Sequence, residues 1–234
     1  MTDFKTCITK KLGYKYPDTA IIVFCKAPIA GQVKTRLMPS LSAEQAVEAH
    51  KTLTHHVLSS LSKYQLCHIQ FWCSPDTRHS FFSQCAQRYD VSLHQQQGQD
   101  LGERMHHAIS CALASSSKVL LIGTDCPSLT IEDFEVAING LNKENDILFS
   151  PAEDGGYVMV GMIKPQPLVF LNMTWGHENV FNNSQSRATQ AGLNLIQTRQ
   201  HWDVDTFSDW QRFMKESAQR FLTTKNKINS RTKF

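Results

Sequence analysis

A short stretch near the start of the chain carries cations that could do chemistry. It reads FCKAPIAGQVKTRL, and its basic residues are Lys26, Lys34 and Arg36. Between them, Ala30 and Gly31 would let backbone N–H groups approach a ligand closely. Lysine and arginine donate charge-assisted hydrogen bonds to phosphate oxygens. The stretch is therefore a candidate diphosphate-binding loop, and a cationic surface turn explains its spacing equally well.

The stretch matches neither of two common phosphate-binding motifs. A P-loop needs Gly-Lys-Ser/Thr as contiguous residues, whereas Gln32 and Val33 separate Gly31 from Lys34. The glycine spacing of GxGxxG is not met either. The loop must therefore be judged together with the residues that the fold brings next to it.

Carboxylates follow three later strand-like runs. Asp125 ends the most apolar run, KVLLIGTD. Glu153 and Asp154 follow ILFSPA, and Asp203 and Asp205 follow LNLIQT. Because ligands of open α/β sheets bind beyond the carboxyl ends of the strands, we expect these groups to meet the cationic loop in one crevice. Such a crevice suits an anionic ligand together with a hard cation.

Asp125 and one aspartate of the DVD segment are the predicted metal ligands. Mg²⁺ prefers one or two carboxylates together with substrate phosphates, and Mn²⁺ accepts the same oxygen ligands. In an extended segment, Asp203 and Asp205 face the same side. The alternatives are a turn role for Asp125 before Pro127 and hydrogen bonding by Asp205 near the next helix start.

The EDGGY segment offers carboxylates for acid–base chemistry. Asp154 or Glu153 could position an acceptor or act as a general base. The alternative is a tight turn, since Asp-Gly is a common turn pair. The adjacent histidines at 55–56 and 106–107 point about 100° apart on predicted helices and are not expected to chelate a metal. His177, near Trp175, is a single histidine and defines no site by itself.

Alternating strands and helices must position these residues. The predicted strands are residues 19–27, 67–73, 91–96 and 118–125. The predicted helices begin at Ser42, cover 80–89 and 100–114, and begin again at Thr130. Strand followed by helix, four times over, indicates a doubly wound, mostly parallel α/β sheet with helices on both faces.

The alternation breaks after about residue 145. Residues 146–162, DILFSPAEDGGYVMVGM, have two strand-like runs around a Gly-Gly turn, which predicts a small hairpin-like β insertion. A helix near 177–191 and the strand LNLIQT follow. A last helix is predicted to begin at Thr206, with Asp209 three residues later.

Length and composition favour one domain. The chain has 234 residues, of which 41% are hydrophobic, enough for one sizeable core. We predict an N-terminal extension over 1–18, a single domain over 19–222 and a basic flexible tail over 223–234. Without residues 1–18 and 225–234, the chain has 16 basic and 19 acidic residues. The charge therefore does not indicate a nucleic-acid partner.

Cysteine usage and hydropathy bear on the compartment. Seven cysteines without a CxxC pair are typical of a reducing compartment. The N-terminus lacks the apolar core of a signal peptide. Apolar runs of about six residues are too short to cross a membrane. We predict a cytoplasmic protein without a membrane span, and the oligomeric state stays open.

Five motifs in fixed order give the sequence a family resemblance. They are KAPIAGQVKTRL, QQGQDLGERM, GTDCPSLT, SPAEDGGYVMVG and WDVDTFSDW. Over roughly residues 19–215, the series resembles a bacterial family with a nucleotide-diphospho-sugar transferase fold, similar to glycosyltransferases of the GT-A type. Some members have names associated with arsenosugar biosynthesis. The family is also similar to 2-phospholactate guanylyltransferase and other small nucleotidyltransferases.

The resemblance implies roles for residues that bind a nucleotide. The family's phosphate-binding loop corresponds to Lys26, Lys34 and Arg36. The region that contacts the base in related nucleotidyltransferases points to Gln97 and Gly98.

The resemblance also implies a metal position and an acceptor region. Asp125 occupies the place of the metal-binding aspartate of GT-A folds. Because Gly123 stands where a full DxD motif would have its first acid, the second ligand would come from Asp203 or Asp205. AEDGGY lies where an acceptor would be held.

Three functions fit these assignments. The first is a metal-dependent glycosyltransferase with a nucleotide-diphospho-sugar donor, whose Mg²⁺ or Mn²⁺ stabilises the leaving nucleoside diphosphate. The alternative is a nucleotidyltransferase that moves a nucleoside monophosphate from a nucleoside triphosphate to a small phosphorylated acceptor. A non-catalytic nucleotide-binding protein is a further alternative. We predict a transferase, and the fold alone does not choose between the two reactions.

Overall fold

A computed structural model describes residues 13–171 and 173–231 of the chain. The first half alternates strands and helices, as the sequence predicts. Its elements are β1 Thr19–Lys26, α1 Ala43–Tyr64, β2 His68–Ser74, α2 Ser80–Tyr89, β3 Ser92–Gln95, α3 Leu101–Leu113, β4 Lys118–Ile122 and α4 Ile131–Gly140. A short 3-10 helix, Thr35–Leu37, lies in the loop between β1 and α1.

The second half supplies the remaining strands and two helices. Its elements are β5 Asp146–Pro151, β6 Tyr157–Met162, a 3-10 helix Pro167–Val169, α5 Val180–Gln190, β7 Asn194–Gln197 and α6 Phe207–Arg231. Helix α6 thus continues into the segment 223–234 that we predicted to be a flexible tail. Neither glycine nor proline interrupts the sequence of this helix, so nothing in its backbone chemistry ends it earlier.

The predicted N-terminal extension lies partly within the described residues. In its last part, the Tyr16 N–H donates a hydrogen bond to the Leu66 carbonyl at 2.7 Å, and the Tyr16 side chain packs against the core. Residues 1–12, and residues 232–234 of the predicted tail, lie outside the described residues. In the part of the chain that is described, every helix is too short or too polar to span a bilayer.

The strands form one sheet in the order β3-β2-β1-β4-β6-β5-β7. Pairing is parallel except along β6, which runs antiparallel to both of its neighbours, β4 and β5. The predicted α/β class, with a mostly parallel sheet, is confirmed. The hairpin is not an insertion outside the sheet, however. Both of its strands are integral members, because their apolar runs are buried on both faces.

Strand β1 shows how the core forms on both faces of the sheet. Ile21 and Val23 belong to a cluster with residues of α1, α2 and α4. Ile22 and Phe24 belong to a second cluster that includes residues of α3 and α5. Successive side chains of a strand point to opposite faces, so an uninterrupted apolar strand requires helices on both sides.

Side-chain caps begin three helices at the residues that the sequence indicates. Ser42 and Gln45 form a capping box at α1, and Thr130 and Asp133 form another at α4. The Asp209 carboxylate accepts the Thr206 N–H at 2.7 Å before α6. Each cap satisfies N–H groups that the first turn of a helix leaves unpaired.

Candidate functional site

The candidate site lies beyond the carboxyl ends of β1 and β4, which are neighbours in the sheet. The cationic loop follows β1, and Gly123, Thr124 and Asp125 follow β4. The DVD segment joins them, because the Val204 N–H donates a hydrogen bond to the Asp125 carbonyl at 2.8 Å. The buried Val204 side chain packs with Leu53 in the core. Two cations of the first loop therefore meet two of the predicted carboxylates here, Lys34 with Asp125 and Arg36 with Asp205.

Lys34 is the most enclosed cation of the site. Its Nζ lies 2.9 Å from Asp125 Oδ1 and donates a hydrogen bond to the Val204 carbonyl at 2.6 Å. Only 5% of the Lys34 side chain is exposed, against 42% of the Asp125 side chain. The φ of Lys34 is 50°, in the left-handed region that few residues other than glycine adopt. Lys34 is therefore held in place by contacts on both sides of the crevice.

Arg36 and Lys26 are more accessible. Arg36 NH1 lies 2.6 Å from Asp205 Oδ2, and 64% of the Arg36 side chain is exposed. An exposed ion pair of this kind contributes about 0–1 kcal/mol, so another anion can compete for Arg36. Lys26 is exposed at the end of β1.

A cavity of about 490 Å³ lies over the cationic loop, and we call it the cationic cavity. Its charged lining residues are Lys26, Lys34, Arg36, Arg104, Asp125 and Asp205. Ala30 and Gly31 are exposed and are not part of its lining. A Cβ added at Gly31 would meet no atom within 4 Å, so the space beside that backbone is open.

Arg104 and His50 line the same cavity and were missed in the sequence. Arg104 lies in the first turns of α3, and its Nε donates to the Gly98 carbonyl at 3.0 Å. His50 Nε2 lies 2.9 Å from the Lys26 carbonyl, and burial lowers the pKa of His50. The His50 side chain thus supports the backbone at the end of β1. Both residues could have been recognised in the sequence. Arg104 lies within the motif QQGQDLGERM, and His50 is a polar residue on the apolar face of α1.

A second cavity of about 290 Å³ adjoins the first, and we call it the aromatic cavity. Both cavities are lined by Phe24, Leu101, Gly123 and Asp125. The aromatic cavity is further lined by Tyr157, Trp175, His177, Asp154 and Asp203. The two cavities therefore form one crevice, with carboxylates where they meet.

Three carboxylates converge in this crevice. Asp154, Asp203 and Asp205 each offer an oxygen within 4.8 Å of the others. Burial, together with the charges of Asp205, Asp154 and Asp125, raises the pKa of Asp203 to about 7, although Lys34 acts in the opposite direction. Repulsion between the carboxylates therefore adds to the effect of burial on Asp203. Such a donor set fits a hard divalent cation.

Asp125 has a different electrostatic setting. Burial opposes its ionisation, but Lys34 and His50 outweigh that effect, so the pKa of Asp125 is lowered. Its counter-charge is already present in Lys34. Of the predicted metal ligands, the structure brings together Asp203 and Asp205, and it adds Asp154 rather than Asp125 to them.

The EDGG turn separates its two acids. Asp154 Oδ1 accepts the Gly156 N–H at 3.0 Å, and Asp154 lines the aromatic cavity. Glu153 instead lies 3.3 Å from Arg212 and lines neither cavity. The structure therefore places Asp154 in the crevice and Glu153 outside it.

Gly155 fixes the turn against the loop that carries His177. Its φ is +87°, and a Cβ there would lie 1.9 Å from the Glu178 carbonyl oxygen. The Phe181 N–H donates a hydrogen bond to the Gly155 carbonyl at 3.0 Å. Backbone therefore packs directly on backbone, which sets Asp154 and His177 on the same cavity wall.

The region predicted to contact a base lies at the rim. Gln97 and Gly98 are exposed and line neither cavity. Their neighbour Gln96 lines the cationic cavity, and its Nε2 donates to the Trp72 carbonyl at 2.8 Å. The structure thus places Gln96, rather than Gln97, in the crevice.

Solved structures with this fold act on nucleotides or carry such a description. A crystal structure described as a "putative nucleotide-diphospho-sugar transferase" from Desulfovibrio desulfuricans G20 has a TM-score of 0.72 and 29% identity, covering 81% of this chain and 83% of that one. A nucleotidyl transferase from a Methanothermobacter species has a TM-score of 0.63 and 12% identity, covering 86% and 98%. The inositol-1-phosphate CTP transferase from T. maritima has a TM-score of 0.55 and 11% identity, covering 82% and 91%. The last two show the fold alone.

The match to a protein family covers the centre of the chain. No curated protein matches the chain. A family model described as "Uncharacterized protein conserved in bacteria (DUF2064)" matches residues 57–177. The matched span exceeds half of the 234 residues and contains Arg104, Asp125, Asp154 and His177. This chain, with the α/β fold of nucleotidyl and sugar-nucleotide transferases, therefore belongs to the bacterial DUF2064 family.

Proposed function

We propose that this protein is a metal-dependent glycosyltransferase that uses a nucleotide-diphospho-sugar donor. One observation carries the proposal: a single crevice sets Lys34 and Arg36 against the converging carboxylates Asp154, Asp203 and Asp205. Cations on one wall suit a diphosphate, and carboxylates on the other suit a hard cation. The 29% identity to the Desulfovibrio protein supports the donor class.

The cationic cavity would bind the diphosphate of the donor. Its four cations are Lys26, Lys34, Arg36 and Arg104. Each charge-assisted hydrogen bond contributes about 1.5–3 kcal/mol. To reach the phosphates, Arg36 must leave Asp205, which frees that carboxylate for another partner. Lys34 needs little movement, because its enclosed side chain already points between Asp125 and Val204.

Asp154, Asp203 and Asp205 would hold the divalent cation, Mg²⁺ or Mn²⁺. The fit rests on their proximity, since each of the three offers a carboxylate oxygen within 4.8 Å of the others. A divalent cation there would offset the charge of the leaving nucleoside diphosphate. Lys34 and Arg36 contribute to the same end by donating hydrogen bonds to the phosphate oxygens.

A nucleotidyltransferase is the second candidate. The cationic cavity, with about 490 Å³ and four cations, has charge enough for a triphosphate as well. Nucleotidyl transferases share the fold. In that reaction, a phosphorylated acceptor would attack the α-phosphate and pyrophosphate would leave.

Product analysis separates the candidates. The protein is incubated with a panel of nucleotide sugars, and separately with four nucleoside triphosphates and sugar phosphates, in Mn²⁺ or in EDTA. Release of nucleoside diphosphate in Mn²⁺ alone supports the proposal, and pyrophosphate release supports the second candidate. Tight nucleotide binding without either product would leave a non-catalytic binding protein. Asp203→Asn should abolish release, whereas Glu144→Gln, at the amino end of β5 and 78% exposed, should not.

A further inference from the structure

Charge divides the crevice into two unlike cavities. Lys26, Lys34, Arg36 and Arg104 all line the cationic cavity. Among the described residues that line the aromatic cavity, no lysine or arginine occurs. Its charged members there are three carboxylates, Asp125, Asp154 and Asp203. Basic side chains that could bind a second phosphorylated substrate are therefore lacking in the described lining on this side.

The remaining wall of the aromatic cavity is largely apolar. Tyr157 and Trp175 contribute aromatic rings, and Phe24, Met105 and Val180 contribute further apolar surface. Sugar rings and aromatic rings pack well on such faces. Such a wall favours a molecule with at least one apolar face.

The wall is also rigid. A Cβ added at Gly102 would lie 2.9 Å from Trp175 Cζ2 and 2.7 Å from the Phe170 carbonyl oxygen. Trp175 therefore packs closely on the first turn of α3, which leaves little room for its ring to move. Gly155 packs in the same manner on the backbone of Glu178, which follows Trp175 and His177 in the chain. A preformed pocket loses less entropy when it binds a ligand.

We infer that the aromatic cavity binds the acceptor, and that the acceptor is a neutral molecule with an apolar face and a hydroxyl or amino nucleophile. The term acceptor rests on the proposed function. The divalent cation of the proposed function would be coordinated by the carboxylates and by the diphosphate of the donor. A phosphate or carboxylate on the acceptor would then find no lysine or arginine in the described wall of the aromatic cavity to bind it.

The transfer balances with this acceptor. The acceptor oxygen or nitrogen forms a bond to the anomeric carbon, and the bond between that carbon and the diphosphate oxygen breaks. The bonding electron pair leaves with the nucleoside diphosphate. The acceptor proton passes to His177, an exposed side chain of the lining that can accept a proton.

Matched probes test the charge preference. Phenyl β-glucoside and its 6-phosphate share the apolar ring and differ by one charged phosphate group. Their binding is followed by tryptophan fluorescence in the presence of a nucleoside diphosphate and Mn²⁺. We expect the neutral probe to bind at least tenfold more tightly than the phosphate. Tighter binding of the phosphate would overturn the inference.

Variants locate the binding. Trp175→Phe should remove most of the fluorescence change, whereas the matched variant Trp210→Phe, on α6 outside the cavity, should retain it. His177→Lys adds a cation to the aromatic cavity alone and should strengthen binding of the phosphate probe about tenfold. An unchanged signal in Trp175→Phe would place the probe elsewhere and contradict the inference.

Competition distinguishes the acceptor from the sugar of the donor. If the cavity holds the acceptor, the probe should bind with the same affinity in the presence of a nucleotide sugar as in the presence of the matching nucleoside diphosphate. Displacement by the nucleotide sugar alone would show that the donor sugar occupies the cavity, and would overturn the assignment. Nucleoside diphosphate affinity, measured separately, tests the proposed function. Its failure would leave the charge preference of the aromatic cavity standing.

Discussion

At the residue level, basic side chains of the first loop form ion pairs with acidic side chains of other loops in the crevice. Lys34 contacts Asp125, and Arg36 contacts Asp205. The two pairs differ in accessibility, because the Lys34 side chain is enclosed and that of Arg36 is mostly exposed. Removing Lys34 would leave a half-buried carboxylate without its partner, whereas removing Arg36 changes little in the free protein. Arg36 is therefore the cleaner probe of phosphate binding.

Arg36→Ala should weaken nucleoside diphosphate binding by about tenfold to a hundredfold, the equivalent of one charge-assisted hydrogen bond of about 1.5–3 kcal/mol. The melting temperature should hardly change, since exposed ion pairs contribute about 0–1 kcal/mol. Calorimetric titration in Mn²⁺ and thermal unfolding measure the two effects. Lys51→Ala, which removes an exposed ion pair with Glu48 on α1, is the matched control. If Arg36→Ala and Lys51→Ala bind the nucleoside diphosphate with equal affinity, the first loop is a cationic surface turn and does not bind phosphate through Arg36.

Asp154 and Asp125 should separate in their effect on metal binding. Asp154→Asn removes one of three converging carboxylates, so affinity for Mn²⁺ alone should fall by about tenfold or more, a loss of at least about 1.4 kcal/mol. Asp125→Asn should leave Mn²⁺ affinity nearly intact, because the charge of Asp125 is already balanced by Lys34. Electron paramagnetic resonance of free Mn²⁺ measures both. A larger loss of Mn²⁺ affinity in Asp125→Asn than in Asp154→Asn would favour Asp125 as the metal ligand, as the family resemblance implies.

The sequence could supply the residue types of the site but not their partners. The cations of the first loop and the carboxylates after later strands were recognisable from their positions at strand ends. Which carboxylate Lys34 contacts depends on where the DVD segment lies, and Val204 is placed by its burial beside Leu53. Such a contact between distant residues leaves no local pattern.

Among the elements, the EDGG turn shows how backbone contact positions a side chain. Gly155→Ala should destabilise the protein by about 1–3 kcal/mol for the left-handed backbone, and further because the new Cβ meets the Glu178 carbonyl oxygen. Turnover should fall, since Asp154 and the loop bearing His177 must move apart. Gly31→Ala is the matched control, with φ +78° and open space around its Cβ. Denaturant unfolding of both variants checks the difference, and equal stability losses would reduce the effect to backbone strain.

Asp133 ties the start of α4 to the segment that leads from β7 to the DVD aspartates. Arg199 Nε lies 2.6 Å from Asp133 Oδ1, and Asp133 Oδ2 accepts the Thr130 N–H at 2.8 Å. Burial opposes ionisation of Asp133, but the hydrogen bonds from Arg199 and Thr130 outweigh it and lower its pKa. Because the pKa of Asp133 is lower in the folded protein than in the unfolded chain, its carboxylate stabilises the fold at pH values above the unfolded pKa of about 4. This contribution is lost as the pH falls below that value.

Asp133→Asn should therefore lower the free energy of unfolding by about 1–3 kcal/mol at pH 7. The difference from the unaltered protein should shrink as the pH falls through about 4 toward 2, because the unaltered carboxylate becomes protonated there. Urea unfolding at several pH values measures it. Asp146→Asn, at another buried and hydrogen-bonded carboxylate with a lowered pKa, should show the same sign without affecting the DVD segment. A difference that stays constant with pH would exclude the charge of Asp133 as the cause.

The hairpin of β5 and β6 shows which features of an element could be predicted from the sequence and which could not. Its two strands were located correctly, because apolar runs on either side of Asp-Gly-Gly indicate a turn between strands. Their place between β4 and β7 was not predicted, because a short apolar run fits an insertion or a central strand equally well. The order of strands is set by contacts such as Leu120 with Gly161, where a Cβ would lie 2.5 Å from the leucine side chain.

For the whole molecule, the fold brings two unlike cavities to one edge of the sheet. The cationic cavity collects residues from β1, the first loop and α3. The aromatic cavity adds residues from β6 and the loop before α5. The carboxylates lie where the two cavities meet. A charge bound in the cationic cavity therefore changes the electrostatic potential at the carboxylates. Binding of a nucleotide and of a metal should therefore be linked.

The linkage follows from an exchange of partners. In the ligand-free protein, Asp205 is neutralised in part by Arg36. A diphosphate that takes Arg36 releases Asp205, which raises the affinity of the carboxylate cluster for a divalent cation. A bound cation equally releases Arg36 for phosphate. By reciprocity, Mn²⁺ and nucleoside diphosphate should strengthen each other's binding by the same factor, about 5- to 150-fold.

Arg36→Ala tests whether this exchange carries the linkage. Without Arg36, Asp205 has lost that partner before any ligand arrives, so Mn²⁺ alone should bind at least as tightly as in the unaltered protein. The enhancement that nucleoside diphosphate adds should fall, because no ion pair remains to be exchanged. Calorimetric titrations of Mn²⁺ with and without nucleoside diphosphate give the factor for both proteins, and the diphosphate avoids turnover. If the factor is the same in Arg36→Ala as in the unaltered protein, the coupling arises from direct contact between cation and phosphate, and the pairing of Arg36 with Asp205 has no part in it.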